Sequence, residues 1–89
     1  LKTWVNGELR QDSNTGRMIF DCFEQIAVLS TVCTLEPGDV IATGTPAGVG
    51  VARNPRIFLN PGDRVRIEIE LIGAIEHEFV EEPGDTQLL

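Results

Sequence analysis

Residues 64–71 alternate without a break: Val65, Ile67, Ile69 and Leu71 take one phase, and Arg64, Arg66, Glu68 and Glu70 take the other. Successive side chains of a β-strand leave opposite faces, so this period of two predicts a strand with one face buried and one wet. Gly73 marks a bend, and residues 74–80 continue as a second strand with Ile75, His77 and Phe79 on one face. A chain of this kind is built on a half-buried sheet.

Upstream, residues 2–5 and 8–11 flank Asn6-Gly7. That pair predicts a β-hairpin, because a type I′ turn needs positive φ at both of its central positions. After a loop at 12–16, Phe20-Asp21-Cys22-Phe23-Glu24 has the form of a helix start. Asp21 caps the free amides, Glu24 reaches back, and apolar residues recur at helical spacing, which predicts a helix near 21–33. Its apolar residues fall on more than one face, so the helix expects cover that a small domain can hardly supply alone. Pro37 and Gly38 stop the helical pattern, residues 40–43 read as a short apolar strand, and residues 81–89 form a polar tail. "LEPGDVIA" and "LNPGDRVRI" echo each other, and shared turn chemistry explains the echo better than a repeat does.

The chain has 89 residues, which fits one small domain with a modest core. Fourteen acidic residues against seven basic ones give a net charge of −7, which repels nucleic-acid backbones and anionic membrane surfaces. No apolar stretch approaches the length of a bilayer span. The expected partners therefore exclude nucleic acid and membrane, and a cytoplasmic location is expected. Leu1 is not a start methionine and no signal sequence follows it, so the chain reads as a segment of something longer. Cys22 and Cys33, about 16 Å apart along the predicted helix, cannot pair with each other and read as buried reduced thiols.

Within residues 38–50, "GDVIATGTPAGVG", the glycine loop at 44–50 invites more than one reading. A phosphate loop needs lysine and then serine or threonine after its last glycine, but Val51-Ala52-Arg53 follows, with Pro55 arguing against a helix. The dinucleotide fingerprint fails on spacing. Two readings remain: a plain strand-ending bend, or a nest whose amides, with the Thr43 or Thr45 hydroxyl, converge on a carboxylate or enolate oxygen.

The stretches "VNGELRQDSNTGRMIF", "LEPGDVIATGTPAGVG" and "FLNPGDRVRIEIELIGAIEHEF" resemble the carboxy-terminal part of the fumarylacetoacetate hydrolase family from about Thr3 to Val80. The run through the glycine loop is a specific signature of that family. The linker "GVGVARNPRIFLNPGD" looks like its bacterial branch of isomerases, decarboxylases and acylpyruvate hydrolases. The resemblance implies an α+β, predominantly β fold: a partial mixed β-roll spanning 1–80, with one helix near 21–33. It implies enzymes that cleave, decarboxylate or isomerise 2-oxo acids of the acylpyruvate, oxaloacetate or 2-hydroxy-diene-dioate type. Such enzymes use Mg2+, or Mn2+ or Ca2+, as a Lewis acid that stabilises an enolate.

On that resemblance Thr45 contacts substrate from the glycine loop, and Gly44 and Gly48 allow the close approach. Gln11, Asn14 and Thr15 match a segment near the site and are weaker candidates, with a turn-forming role as the plainer reading. The family's metal-binding Glu-x-Glu lies far upstream. Glu68 and Glu70, and likewise Glu76 and Glu78, therefore read as a solvated strand face. His77, on the apolar phase, reads as a partly buried side chain rather than a base. Metal ligands and catalytic groups are all expected outside this segment. The expectation is thus an enzyme segment that supplies the substrate loop to a homodimer, or to a missing amino-terminal portion. The alternative is a non-catalytic carboxylate-binding or interaction module, or an inactive truncated remnant.

Overall fold

A computed structural model describes residues 1–85. It divides into two compact units, Leu1–Asp12 with the stretch from Pro46 onward, and Ser13–Thr45.

The first unit is an antiparallel sheet of four strands, β1 (Lys2–Val5), β2 (Glu8–Asp12), β3 (Arg64–Ile69) and β4 (Gly73–Glu78), in the order β2-β1-β3-β4. Asn6 and Gly7 join β1 to β2 with φ of 51° and 80°, the two positive values a type I′ turn demands. Thr3 faces Gln11 while Trp4 faces Leu9, so Arg10 is the extra residue of a β-bulge.

Directly opposed residues share a sheet face. Thr3, Val5, Val65, Ile67, Ile75 and His77 lie on one face, and Lys2, Trp4, Arg64, Arg66, Glu68, Glu76 and Glu78 lie on the other. Arg64 reaches Glu76 at 3.8 Å and Glu78 at 3.6 Å, and Arg66 reaches Glu68 at 3.3 Å. These are exposed pairs worth at most about 1 kcal/mol each. The glutamates are therefore a solvated strand face, as the alternation predicts.

The sheet is pinned where two turns meet. Asn60-Pro61-Gly62-Asp63 is closed by a bond from Asp63 N to Asn60 O at 3.0 Å, with Gly62 at φ 93°. The Asp63 carboxylate accepts from Asn60 N at 2.8 Å and from Asn6 Nδ2 at 2.9 Å. Those two bonds, the backbone one foremost, hold its pKa below the usual aspartate value, with Arg10 adding to the effect.

In the second unit a 3-10 turn at Thr15–Arg17 precedes helix α1 (Cys22–Ser30). The capping box is complete: Glu24 N donates to Asp21 Oδ1 at 2.8 Å, and Asp21 N donates to Glu24 Oε2 at 3.3 Å. The helix stops earlier than the predicted Cys33. The Ser30 and Thr31 hydroxyls bond back to Ala27 O and Val28 O at 2.8 and 2.7 Å, and β-branched Thr31 and Val32 follow, so residues 31–33 make only a turn. Glu36-Pro37-Gly38-Asp39 repeats the Asp63 turn, with Gly38 at φ 95° and Glu36 N donating to Asp39 Oδ2 at 2.7 Å. The two turns lead into different structure, which supports turn chemistry over a repeat. Residues 64–69 enter the sheet, whereas residues 40–43 form no strand, having no ladder partner among the described residues.

The α+β, predominantly β architecture with one helix is the one expected from sequence, while several local expectations are corrected. β3 ends at Ile69, and Leu71 sits in the turn to β4 at φ 66°, wholly exposed. Cys22 and Cys33 are free but exposed rather than buried, and His77 is exposed across the ladder from Val65. All three follow from one property: among the described residues only Thr3, at 8 % exposure, is buried. Helix residues Phe23 and Val28 remain 83 % and 66 % exposed. No helix among the described residues is long and apolar enough to cross a membrane. Of the predicted tail, residues 81–85 contain only a turn and residues 86–89 lie outside the described residues.

Candidate functional site

The glycines of the loop at 44–50 do different work. Gly44 and Gly48 have φ of 96° and 113°, where an L side chain is strained. A Cβ on Gly44 would meet nothing within 4 Å. On Gly48 it would overlap the Arg10 carbonyl oxygen and come within 3.0 Å of Gln11 Cγ. Gly50 lacks the positive φ, but a Cβ there would overlap Ile57 O. Gly44 therefore bends the chain, whereas Gly48 and Gly50 let two backbone segments touch.

Side chains close the second half of this loop against β2. Gln11 Nε2 donates to Pro46 O at 3.0 Å. Arg53 Nε donates to Gly48 O at 3.4 Å, and its Nη2 donates to Arg10 O at 3.3 Å. Between them Gly50–Ala52 forms a 3-10 turn, with Arg53 N donating to Gly50 O at 3.2 Å and Ile57 N to the same oxygen at 3.0 Å. Arg10 itself turns to Glu8, its Nε 3.2 Å from Glu8 Oε1, close enough for an ion pair but off hydrogen-bond geometry.

Of the residues singled out in the sequence, Gln11 and Gly48 are thus brought into contact. Gly44 and Thr45 belong to the second unit, both exposed. So do Asn14 and Thr15, which build the 3-10 turn: Asn14 Oδ1 accepts from Gly16 N at 2.8 Å, and Thr15 O accepts from Met18 N at 3.2 Å. Sequence reasoning missed Arg53 and Arg10. Both of Arg53's acceptors are backbone carbonyls, which no residue type advertises. The only signal was a lone arginine closing the apolar run 47–52.

A concavity lies on the polar sheet face, lined by Trp4, Asn6, Gly7, Arg64, Arg66 and Glu76 and open to solvent. Its arginines already face glutamates, so it offers a ligand little unpaired charge. The glycine loop is the better candidate. Among the described residues no three His, Cys, Asp or Glu side chains converge as a metal centre requires, so the divalent ion implied by the resemblance has no ligand set here.

The family model described as "Fumarylacetoacetate (FAA) hydrolase C-terminal" matches residues 1–80. The mitochondrial oxaloacetate tautomerase FAHD2B of Bos taurus is 54 % identical over 76 residues, which are 85 % of this chain and 24 % of that protein. An uncharacterized protein of Staphylococcus saprophyticus is 52 % identical over 75 residues, covering 84 % of this chain and 25 % of its own length. Among solved structures, the fumarylacetoacetate hydrolase of psychrophilic Exiguobacterium antarcticum superposes with a TM-score of 0.87 at 44 % identity, covering 91 % of this chain and 29 % of that one. The chain spans about a quarter of the length of the curated relatives it matches.

Proposed function

The chain belongs to the fumarylacetoacetate hydrolase family, and on that premise we propose that it is a segment of an enzyme acting on 2-oxo acids through their enol or enolate, with oxaloacetate the first substrate to test. The observation that carries this reading is the 54 % identity to a protein named oxaloacetate tautomerase. Isomerisation of that kind removes a proton beside a carbonyl and leaves negative charge on the carbonyl oxygen. The enzyme must hold the neighbouring carboxylate still while the charge moves.

In this proposal the glycine loop supplies that hold. The hydroxyl of Thr45, an exposed residue, donates to a substrate carboxylate oxygen, Gly44 turns the backbone ahead of it, and Gly48 and Gln11 fix the loop's later half on β2. Asn14 and Thr15 shape the neighbouring chain without touching substrate. The general base, and the ligands of any Mg2+, Mn2+ or Ca2+, belong to residues outside this stretch. The same reading accounts for exposed Phe23, Val28 and Ile19: the rest of such an enzyme, or a second subunit, covers them.

The test is turnover by the polypeptide produced from the natural gene, with oxaloacetate and an acylpyruvate, in Mg2+ and in EDTA. The reading expects activity that EDTA abolishes. It also expects Thr45→Val to raise KM about tenfold, the loss of one charge-assisted hydrogen bond. A folded, pure product inert toward both substrates with Mg2+ or Mn2+ would instead favour a non-catalytic module.

A further inference from the structure

We infer that Arg53 is the positioning residue of the glycine loop, acting through two backbone carbonyls rather than on substrate. This rests on the reading of the loop as the substrate-binding element. Gly48 and Arg10 approach so closely that a Cβ on Gly48 would overlap the Arg10 carbonyl oxygen, yet no backbone hydrogen bond joins the two residues. The Arg53 guanidinium answers both carbonyls at once, through Nε to Gly48 O at 3.4 Å and Nη2 to Arg10 O at 3.3 Å. One planar, permanently charged group donating through two differently directed nitrogens can bridge two fixed oxygens, which a lysine point charge does less well.

The local chain is arranged to deliver it. The 3-10 turn Gly50–Ala52 ends at Arg53, whose N–H is tied to Gly50 O at 3.2 Å, so the side chain folds back over the residues just before the turn. The bulge contributes as well. Arg10 is the extra residue of β2, so its carbonyl lies off the regular β1–β2 register and is available to the guanidinium. Gln11, next in sequence, donates to Pro46 O at 3.0 Å and anchors the other end of the same short segment. Pro46 to Gly48 is thereby held at both ends, and Thr45 is the residue bonded directly to Pro46.

The test compares wild type with Arg53→Met and Arg53→Lys in the polypeptide from the natural gene. Amide exchange is followed by mass spectrometry on peptides covering 44–53 and 64–78, alongside kcat and KM for oxaloacetate. Loss of the two bonds is expected to speed exchange in the loop peptide about tenfold while β3 and β4 keep their protection. KM should rise about tenfold with kcat changed less than about threefold, and Arg53→Lys should recover part of both effects.

Unchanged loop exchange in Arg53→Met would overturn the inference. So would equal loosening of loop and sheet, which would make Arg53 a general stability residue. Loop-only loosening with unaltered KM in an active enzyme would overturn the positioning role. An inactive wild type would remove the enzyme reading, and the exchange comparison would then decide by itself whether Arg53 holds the loop.

Discussion

Asn6 Nδ2 donates to Asp63 Oδ1 at 2.9 Å, across 57 residues of sequence, while Asn6 Oδ1 accepts from Arg64 N at 2.9 Å. One side chain thus ties the β1–β2 turn to the turn that launches β3, and Asn6 N adds a backbone bond to Arg64 O at 2.9 Å. The choice of asparagine in the hairpin turn serves tertiary structure as well as φ.

The acid sensitivity of the sheet should follow from this link. Asp63 has its pKa lowered by the Asn60 amide and the Asn6 amide group, so the folded state favours its charged form. The stabilisation is therefore fully present above the ordinary aspartate pKa and is lost as pH falls through the lowered one. Carboxyl-carbon NMR should place the Asp63 midpoint below that of an unstructured aspartate. Asp63→Asn should flatten the acid limb of stability against pH, and a midpoint at or above the ordinary value would refute the assignment.

Asn6 allows its two contributions to be separated. Asn6→Gly keeps the left-handed backbone and removes two side-chain bonds, which should cost about 1–3 kcal/mol. Asn6→Ala removes the bonds and also forces a Cβ residue into φ 51°, adding about 1 kcal/mol. Urea unfolding of the three forms should rank wild type, glycine, alanine. Equal midpoints for glycine and alanine would mean that φ carries no cost there.

Much of this fold is legible in the chain because its signals are local. The Asn6-Gly7 turn, the Asp21–Glu24 capping box and the alternation from Arg64 each act within a few residues, and each appears where sequence places it. The readings that failed were those needing a partner. Residues 40–43 are apolar enough for a strand but find no ladder, and Cys22, Cys33 and His77 sit on apolar phases with little packed over them. Burial depends on the neighbouring surface, and this chain spans only about a quarter of its relatives' length. The candidate site divides the same way: the glycine signature is plain in sequence, whereas the Arg53 contacts, made to backbone oxygens, are not.

The loop glycines should differ in their tolerance of alanine. Gly44→Ala meets open space and carries only the left-handed penalty, about 1–2 kcal/mol. Gly50→Ala carries no φ penalty but overlaps Ile57 O, for about 1–3 kcal/mol of overpacking. Gly48→Ala suffers both penalties against Arg10 and should lose roughly 2–5 kcal/mol. Thermal unfolding should place Gly48→Ala lowest of the three. A Gly48→Ala protein as stable as Gly44→Ala would show that β2 and the loop separate easily.

Leu71 offers the opposite sign. It sits in the turn closed by Ile72 N to Ile69 O at 3.1 Å, with φ 66° and a fully exposed side chain, so its conformation costs strain that no burial among the described residues repays. Leu71→Asn places at that position a residue that adopts the left-handed region readily, and should stabilise the β3–β4 hairpin by about 1 kcal/mol. Exchange protection in residues 64–78 should rise about fivefold in the variant, the same energy expressed as an opening equilibrium. A loss of stability would instead reveal that Leu71 is covered by a surface beyond this chain, and the size of that loss would measure the cover.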